Sequence, residues 1–156
     1  MILPLVILVL FIAYSILVFF YWSAWKSVPD FNGTNTTYSV TISVIIPARN
    51  EEKNIGLLLE ALKKQTYPAN FFEVIVVDDH STDSTARITQ GFSFVKLIRL
   101  EEDGINSYKK KAIEKGIEAA SGELIVTTDA DCIPPANWLK TIAACKEENN
   151  AVFIAA

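Results

Sequence analysis

The sequence predicts an α/β domain built on a doubly wound, mostly parallel sheet and preceded by one transmembrane helix. Three observations carry that prediction. Short Val- and Ile-rich runs at residues 40–46, 72–77 and 124–126 lack the alternation of a half-exposed strand, so they read as strands buried on both faces. Segments with apolar residues at helical spacing separate them, and parallel strands need such helical crossovers. Finally, the first 25 residues carry no charged side chain at all.

The 156 residues, 51% apolar and 21% charged, suffice for one domain plus an appendage. The whole net charge of -4 belongs to the part after residue 25. That acidic balance excludes a general nucleic-acid binder, which needs a basic footprint to neutralise phosphates. Cys132 and Cys145 are too few for a disulfide framework or a zinc site, and read as free thiols in a reducing compartment.

Residues 2–25 would extend about 36 Å as a helix, against a hydrocarbon core of about 30 Å. Phe19, Phe20, Tyr21, Trp22 and Trp25 crowd the far end and Lys26 follows, the pattern of an aromatic belt with a cytoplasmic flank. The N-terminus is therefore expected outside and the domain in the cytoplasm. A cleavable signal peptide is the rival, but no Lys or Arg precedes the apolar run and the run exceeds the usual length. The expected organisation is a transmembrane helix over 1–25, a linker over 26–39 and a domain over 40–156. Two glycosylation acceptor patterns, at Asn32 and Asn35, lie in the linker and would stay unmodified in a cytoplasmic segment.

Within the domain, a strand over 40–46 is expected to stop at Pro47. Ile55, Leu58, Leu59 and Leu62 mark an amphipathic helix over about 52–65, ended by Tyr67-Pro68. The second strand, 72–77, runs into Asp78-Asp79-His80-Ser81-Thr82-Asp83, where Ser81 or Thr82 would cap a short helix to about residue 90. A third strand spans 94–100. A loop with Gly104 leads to Ser107, a candidate cap for a helix over 108–120. That helix holds Lys109, Lys110 and Lys111 in its first turn, where the macrodipole disfavours cations unless an anion lies nearby; lysines reaching into solvent are the alternative. Gly122 suits the left-handed position past the helix end. After the strand at 124–126, Pro134-Pro135 forces a turn, and a last helix over 138–148 would turn Trp138, Ile142 and Cys145 inward. Residues 152–156 read as the start of a further strand, so the sequence is expected to be truncated.

The chemistry gathers at strand ends. Asp129 and Asp131 follow the last strand with small Ala130 between them, and extended alternation would send both carboxylates to one side. An Asp-rich solvated turn is the alternative. However, polar groups at 47–51 and 78–83 also follow strands, and ligands of open α/β sheets bind at the carboxyl ends of strands. Oxygen-only ligation points to Mg²⁺ or Mn²⁺, held by one or two carboxylates plus substrate phosphates. His80, the lone histidine, reads as a loop hydrogen-bonder rather than a ligand. No GxGxxG or GxxxxGK[ST] is present, which removes the usual dinucleotide and ATP-hydrolysing readings.

The stretches ISVIIPARNEEKNI, VIVVDDHSTDST and GELIVTTDADCIPPANWL together resemble the family 2 glycosyltransferases of the A-type nucleotide-sugar fold, over nearly all of residues 41–156. The resemblance implies inverting transfer of a sugar from a nucleotide-diphosphate sugar to a lipid or glycan acceptor at a membrane, without nucleic acid. It implies a first nucleotide-binding loop at Pro47, Ala48, Arg49 and Glu51. It places the base on Asp79, a divalent Mg²⁺ or Mn²⁺ on Asp131 with Asp129 nearer the ribose and diphosphate, and a donor-binding lysine at Lys110. Tyr108 stands where the family often has Gly. The general base is expected beyond Ala156. Two other readings remain open: a non-catalytic membrane scaffold that keeps the fold, and a receiver-like signalling domain.

Overall fold

A computed structural model describes residues 2–28, 31, 39–101, 108–149 and 151, in two units, Met1–Asn32 and Gly33–Ala156. The linker acceptor sites, Gly104, Ser107 and residues 152–156 fall outside the described residues.

The first unit is helix α1, Ile2–Lys26, whose 25 residues span about 38 Å. It is long and apolar enough to cross a membrane. Ser15 Oγ donates to the Phe11 carbonyl one turn back at 2.8 Å. Lys26 Nζ sits 4.7 Å from the Trp22 ring centroid.

The second unit runs β1 (Ile42–Ala48), α2 (Ile55–Lys63), a 3-10 turn at Ala69–Phe71, β2 (Phe72–Asp78), α3 (Thr85–Gln90), β3 (Val95–Arg99), α4 (Tyr108–Glu118), β4 (Leu124–Thr127) and α5 (Trp138–Asn149). Among the described residues the sheet has the order β3-β2-β1-β4, all parallel. Side chains alternate across it. Val44, Ile46, Val74 and Val76 pack on one face with Leu58, Leu59 and Leu62 of α2 and Leu139 and Ile142 of α5. On the opposite face Ile75, Val77 and Leu100 pack with Ala112 of α4. Burial of each such aliphatic side chain contributes about 1.5–3 kcal/mol. Both faces are covered, so the expected doubly wound α/β class is the one observed.

Several boundaries differ from expectation for physical reasons. Strand β1 does not stop at Pro47 but continues to Ala48. Thr128 N–H donates to the Ile45 carbonyl at 3.2 Å, so position 45, and with it 47, faces β4. The β1–β4 pairing ends at Ile45, and the missing proline N–H falls where no ladder needs it. Helix α2 is shorter than the apolar periodicity suggests, because residues 52–54 form a turn. Strand β4 is not buried on both faces: it lies at the end of the described strand order, Val126 is buried and Ile125 is exposed. Helix α5 buries Leu139, Ile142, Ala143 and Ala144, with Trp138 and Cys145 only half-buried.

Gly122 is also not left-handed. An added Cβ there would meet Ser43 N at 2.6 Å and Ile42 C at 2.7 Å, so close approach to β1 is what requires glycine. That approach belongs to a knot at the N-terminal ends of the strands. Gly122 N–H donates to Ser43 Oγ at 2.8 Å, and Ser43 Oγ donates to Glu73 Oε1 at 2.6 Å. Glu73 Oε1 also accepts Ser121 N–H at 2.6 Å and Ser121 Oγ at 2.8 Å. Burial pushes the Glu73 carboxyl up, but these hydrogen bonds and the Lys96 charge outweigh it and leave the group below its ordinary value. The knot ties β1, β2 and the approach to β4 into one register.

Candidate functional site

At the carboxyl ends of β1, β2 and β4, Pro47, Ala48, Arg49, Glu51, Asp79, Lys109, Asp129, Ala130 and Asp131 line one cavity of about 270 Å³. A wider cavity of about 600 Å³ adjoins it, shares Pro47, Lys109 and Asp129, and is otherwise walled by residues such as Thr128, Ile133, Pro134 and Trp138. Seven of the eight residues expected at the site therefore face one space. Lys110 is not among its lining residues; Lys109, its neighbour, is.

Asp79 forms the floor. Its backbone N–H donates to the Ala48 carbonyl at 2.8 Å, extending the β1–β2 ladder one step past the strands. Its side chain is only 7% exposed; Arg49 Nη1 lies 3.5 Å from Oδ2, and His80 Nδ1 lies 2.9 Å from Oδ1. Of the acidic stretch 78–83, Asp79 alone lines this cavity. Asp78, His80, Ser81 and Asp83 open instead into a separate space with Arg87 and Arg99.

The loops after β1 and β2 are interlocked. Asn50 is left-handed, with φ 56°, a conformation Asn tolerates better than most residues. Its Oδ1 accepts the Thr82 N–H at 2.9 Å, and its own N–H donates to Ser81 Oγ at 3.0 Å. Glu51 N–H donates to Thr85 Oγ1 at 2.7 Å, Glu52 N–H to Asp83 Oδ2 at 3.1 Å, and Ser84 N–H returns to Glu52 Oε2 at 3.1 Å. Neither Ser81 nor Thr82 caps α3. Asp83 Oδ1 accepts both Thr85 N–H at 2.9 Å and Thr85 Oγ1 at 2.5 Å. Desolvation raises the Asp83 carboxyl, yet the bonds from Thr85 and Glu52 prevail and hold it below the usual range.

The Asp129-Ala130-Asp131 wall is not extended as alternation would have it. The chain turns at Ala130 and Asp131, Cys132 N–H donating to the Asp129 carbonyl at 3.2 Å. Ala130 is buried at 3% exposure while both carboxylates stay outside. They still line one cavity, the turn doing what alternation was expected to do. Asp129 Oδ1 pairs with Lys109 Nζ at 2.6 Å, placing a cation of α4's first turn beside the acidic pair. The donor set is hard oxygen, and among the described residues no cluster of three His, Cys, Asp or Glu forms a complete protein cage. Two carboxylates without such a cage suit a cation whose remaining ligands come from phosphate and water.

Sequence reasoning missed the His80–Asp79 contact and the choice of Lys109 over Lys110. The first had a signal, since a histidine next to a buried strand-end acid has few places to turn. The second depends on which way the first turn of α4 faces.

Comparison with known proteins bears on this geometry. The family model described as Glycosyl transferase family 2 matches residues 43–156. Glycosyltransferase AglE of Haloferax volcanii is 41% identical over 102 residues, 64% of this chain and 33% of that protein. The poly(ribitol-phosphate) beta-N-acetylglucosaminyltransferase TarS of Staphylococcus aureus is 36% identical over 112 residues, 70% of this chain and 19% of that protein. The crystal structure of TarS in complex with UDP-GlcNAc superposes with a TM-score of 0.60 at 36% identity, over 70% of this chain and 32% of that one. The mannosyltransferase PcManGT of Pyrobaculum calidifontis, in complex with GDP-Man and Mn²⁺, gives 0.66 at 29% identity, over 83% and 39%. The chain thus spans a third or less of the length of these two curated relatives.

Proposed function

The chain belongs to glycosyl transferase family 2, and from that membership we propose that its domain binds a nucleotide-diphosphate sugar at the strand ends, for inverting transfer of the sugar to a lipid or glycan acceptor. Membership replaces the receiver-like reading. One observation carries the proposal: Arg49 and Glu51 after β1, Asp79 after β2 and Asp129 and Asp131 after β4 line a single cavity. Three separate loops meeting in one space make a ligand site, not a decorated rim.

In this reading Asp79 accepts an N–H of the base, with Pro47, Ala48, Arg49 and Glu51 around the nucleoside. Asp131 and Asp129 would hold Mg²⁺ or Mn²⁺ together with the diphosphate, which fits the open pair of hard oxygen donors. When bound there, the ion would supply charge compensation for the nucleoside diphosphate, the leaving group of the transfer. Lys109, paired with Asp129 at 2.6 Å, would in this reading donate to the same phosphates, a role the sequence had suggested for Lys110. Named relatives support these assignments: TarS was crystallised with UDP-GlcNAc and PcManGT with GDP-Man and Mn²⁺. Helix α1, apolar over its length with Lys26 following the aromatic end, is proposed as a membrane anchor that leaves the domain in the cytoplasm. The organisation proposed is the one expected from sequence, a spanning segment over 1–25, a linker over 26–39 and the donor-binding domain over 40–156.

The test is calorimetry on the full chain with UDP-GlcNAc and GDP-mannose, with and without Mn²⁺. Binding of one of them that strengthens with Mn²⁺ is expected. A chain that binds neither, with or without metal, would refute the reading and leave a scaffold that keeps the fold.

A further inference from the structure

We propose that His80 is a positioning residue for the nucleobase: it fixes the Asp79 carboxylate in the orientation that presents it to a base N–H. The inference rests on the donor-binding reading above and goes beyond it, from the residue that meets the base to the one that aims it. Asp79 is held at two oxygens, but unequally. Arg49 Nη1 stands 3.5 Å from Oδ2 on a side chain 53% exposed, whereas His80 Nδ1 stands 2.9 Å from Oδ1 on a side chain 30% exposed. The shorter, better buried contact sets the carboxylate plane. Its backbone is fixed too, by the Asp79 N–H to the Ala48 carbonyl at 2.8 Å. An aspartate held in both ways discriminates by direction: it favours bases that offer an in-plane ring N–H, as uracil and guanine do.

The main chain gives an independent sign. His80 is left-handed, with φ 54°, a conformation that costs a non-glycine residue free energy and persists where the surroundings over-determine it. Glycine would adopt it without strain. The sequence instead carries an imidazole there, and that imidazole turns back onto its predecessor.

That contrast makes the test. His80→Gly removes the ring and suits the left-handed backbone, so relief of the backbone offsets the lost contact to Asp79 and the thermal midpoint should move little. Affinity for UDP or GDP, whichever the full chain binds more tightly with Mn²⁺, should fall about tenfold, the scale of one lost hydrogen bond to a charged group. His80→Asn tolerates φ > 0 and offers an amide N–H to Asp79, so it should recover affinity to within about threefold of the unsubstituted chain. Asp79→Asn is measured alongside. If it weakens nucleotide binding while His80→Gly leaves binding unchanged, or lowers stability and affinity together without rescue by Asn, the positioning role is overturned and donor binding stands. If Asp79→Asn changes nothing in a chain that does bind a nucleotide, the Asp79 base contact falls and this inference with it, while donor binding stands; if the unsubstituted chain binds neither nucleotide, the donor-binding reading itself falls.

Discussion

Replacing Lys109 with glutamine should move metal and nucleotide affinity in opposite directions. Lys109 Nζ lies 2.6 Å from Asp129 Oδ1, and both side chains are more than half exposed, at 60% and 56%. An ion pair so open to solvent is worth about 0.2–1 kcal/mol. A divalent cation arriving at Asp129 must displace or share that lysine, so its removal should tighten Mn²⁺ binding by about 1.4- to 5-fold, the same energy expressed as a ratio. A diphosphate loses instead a charge-assisted donor worth about 1.5–3 kcal/mol, which weakens nucleotide binding by about 10- to 160-fold. Titration of free Mn²⁺ by electron paramagnetic resonance gives the first quantity, and calorimetry with UDP or GDP the second. Lys110→Gln serves as the control, because Lys110 lies outside the cavity lining. Nucleotide affinity that survives Lys109→Gln, or falls equally in Lys110→Gln, would refute the assignment of the phosphate-side cation.

Asp131→Asn should abolish the Mn²⁺ enhancement of donor binding while shifting the thermal midpoint by no more than about 2 °C, since the side chain is exposed; calorimetry and a melting curve on the same sample check both. Gly122→Ala should destabilise the domain by about 1–3 kcal/mol, since the new Cβ would meet backbone atoms of β1, Ser43 N at 2.6 Å and Ile42 C at 2.7 Å. Chemical denaturation measures that loss, and a neutral result would refute close approach to β1 as the reason for glycine at 122. Glu73→Gln tests the knot by pH. The folded carboxyl ionises more easily than the ordinary 4.5, so its contribution is complete above that value and is lost as pH falls through the lower folded value. The unsubstituted chain should therefore exceed Glu73→Gln by about 1 kcal/mol at pH 7, with the two stability curves converging as pH drops below about 4.5; parallel curves would contradict the assignment.

The alternation of Val and Ile runs with helical segments was enough to reveal the parallel sheet, because a strand buried on both faces leaves little else in its composition. The strand tips were legible for a similar reason: Asp79, Asp129 and Asp131 follow apolar runs at points where only a ligand or a turn explains them. What the sequence hid was set by neighbours far along the chain. Pro47 looks like a terminator until β4 is seen to end beside it. Gly122 looks like a helix cap until β1 is seen pressing on it. The inner face of α5 follows from Gln65 as much as from periodicity, since Gln65 Oε1 accepts the Leu139 N–H at 3.0 Å and fixes how that helix begins. The turn at Ala130 was one of the two readings open there; what the sequence hid is that Ala130 itself is buried while both carboxylates stay exposed.

The reciprocal bonding between Asn50–Glu52 and Ser81–Thr85 bears on any attempt to re-engineer this protein. The two segments are not modular: each supplies the acceptors that the other's amides need. Transplanting the first from a homologue without the second would strand several donors and acceptors at once. Chimeras that exchange the pair together should keep their shape, whereas those that exchange one should lose amide protection in both.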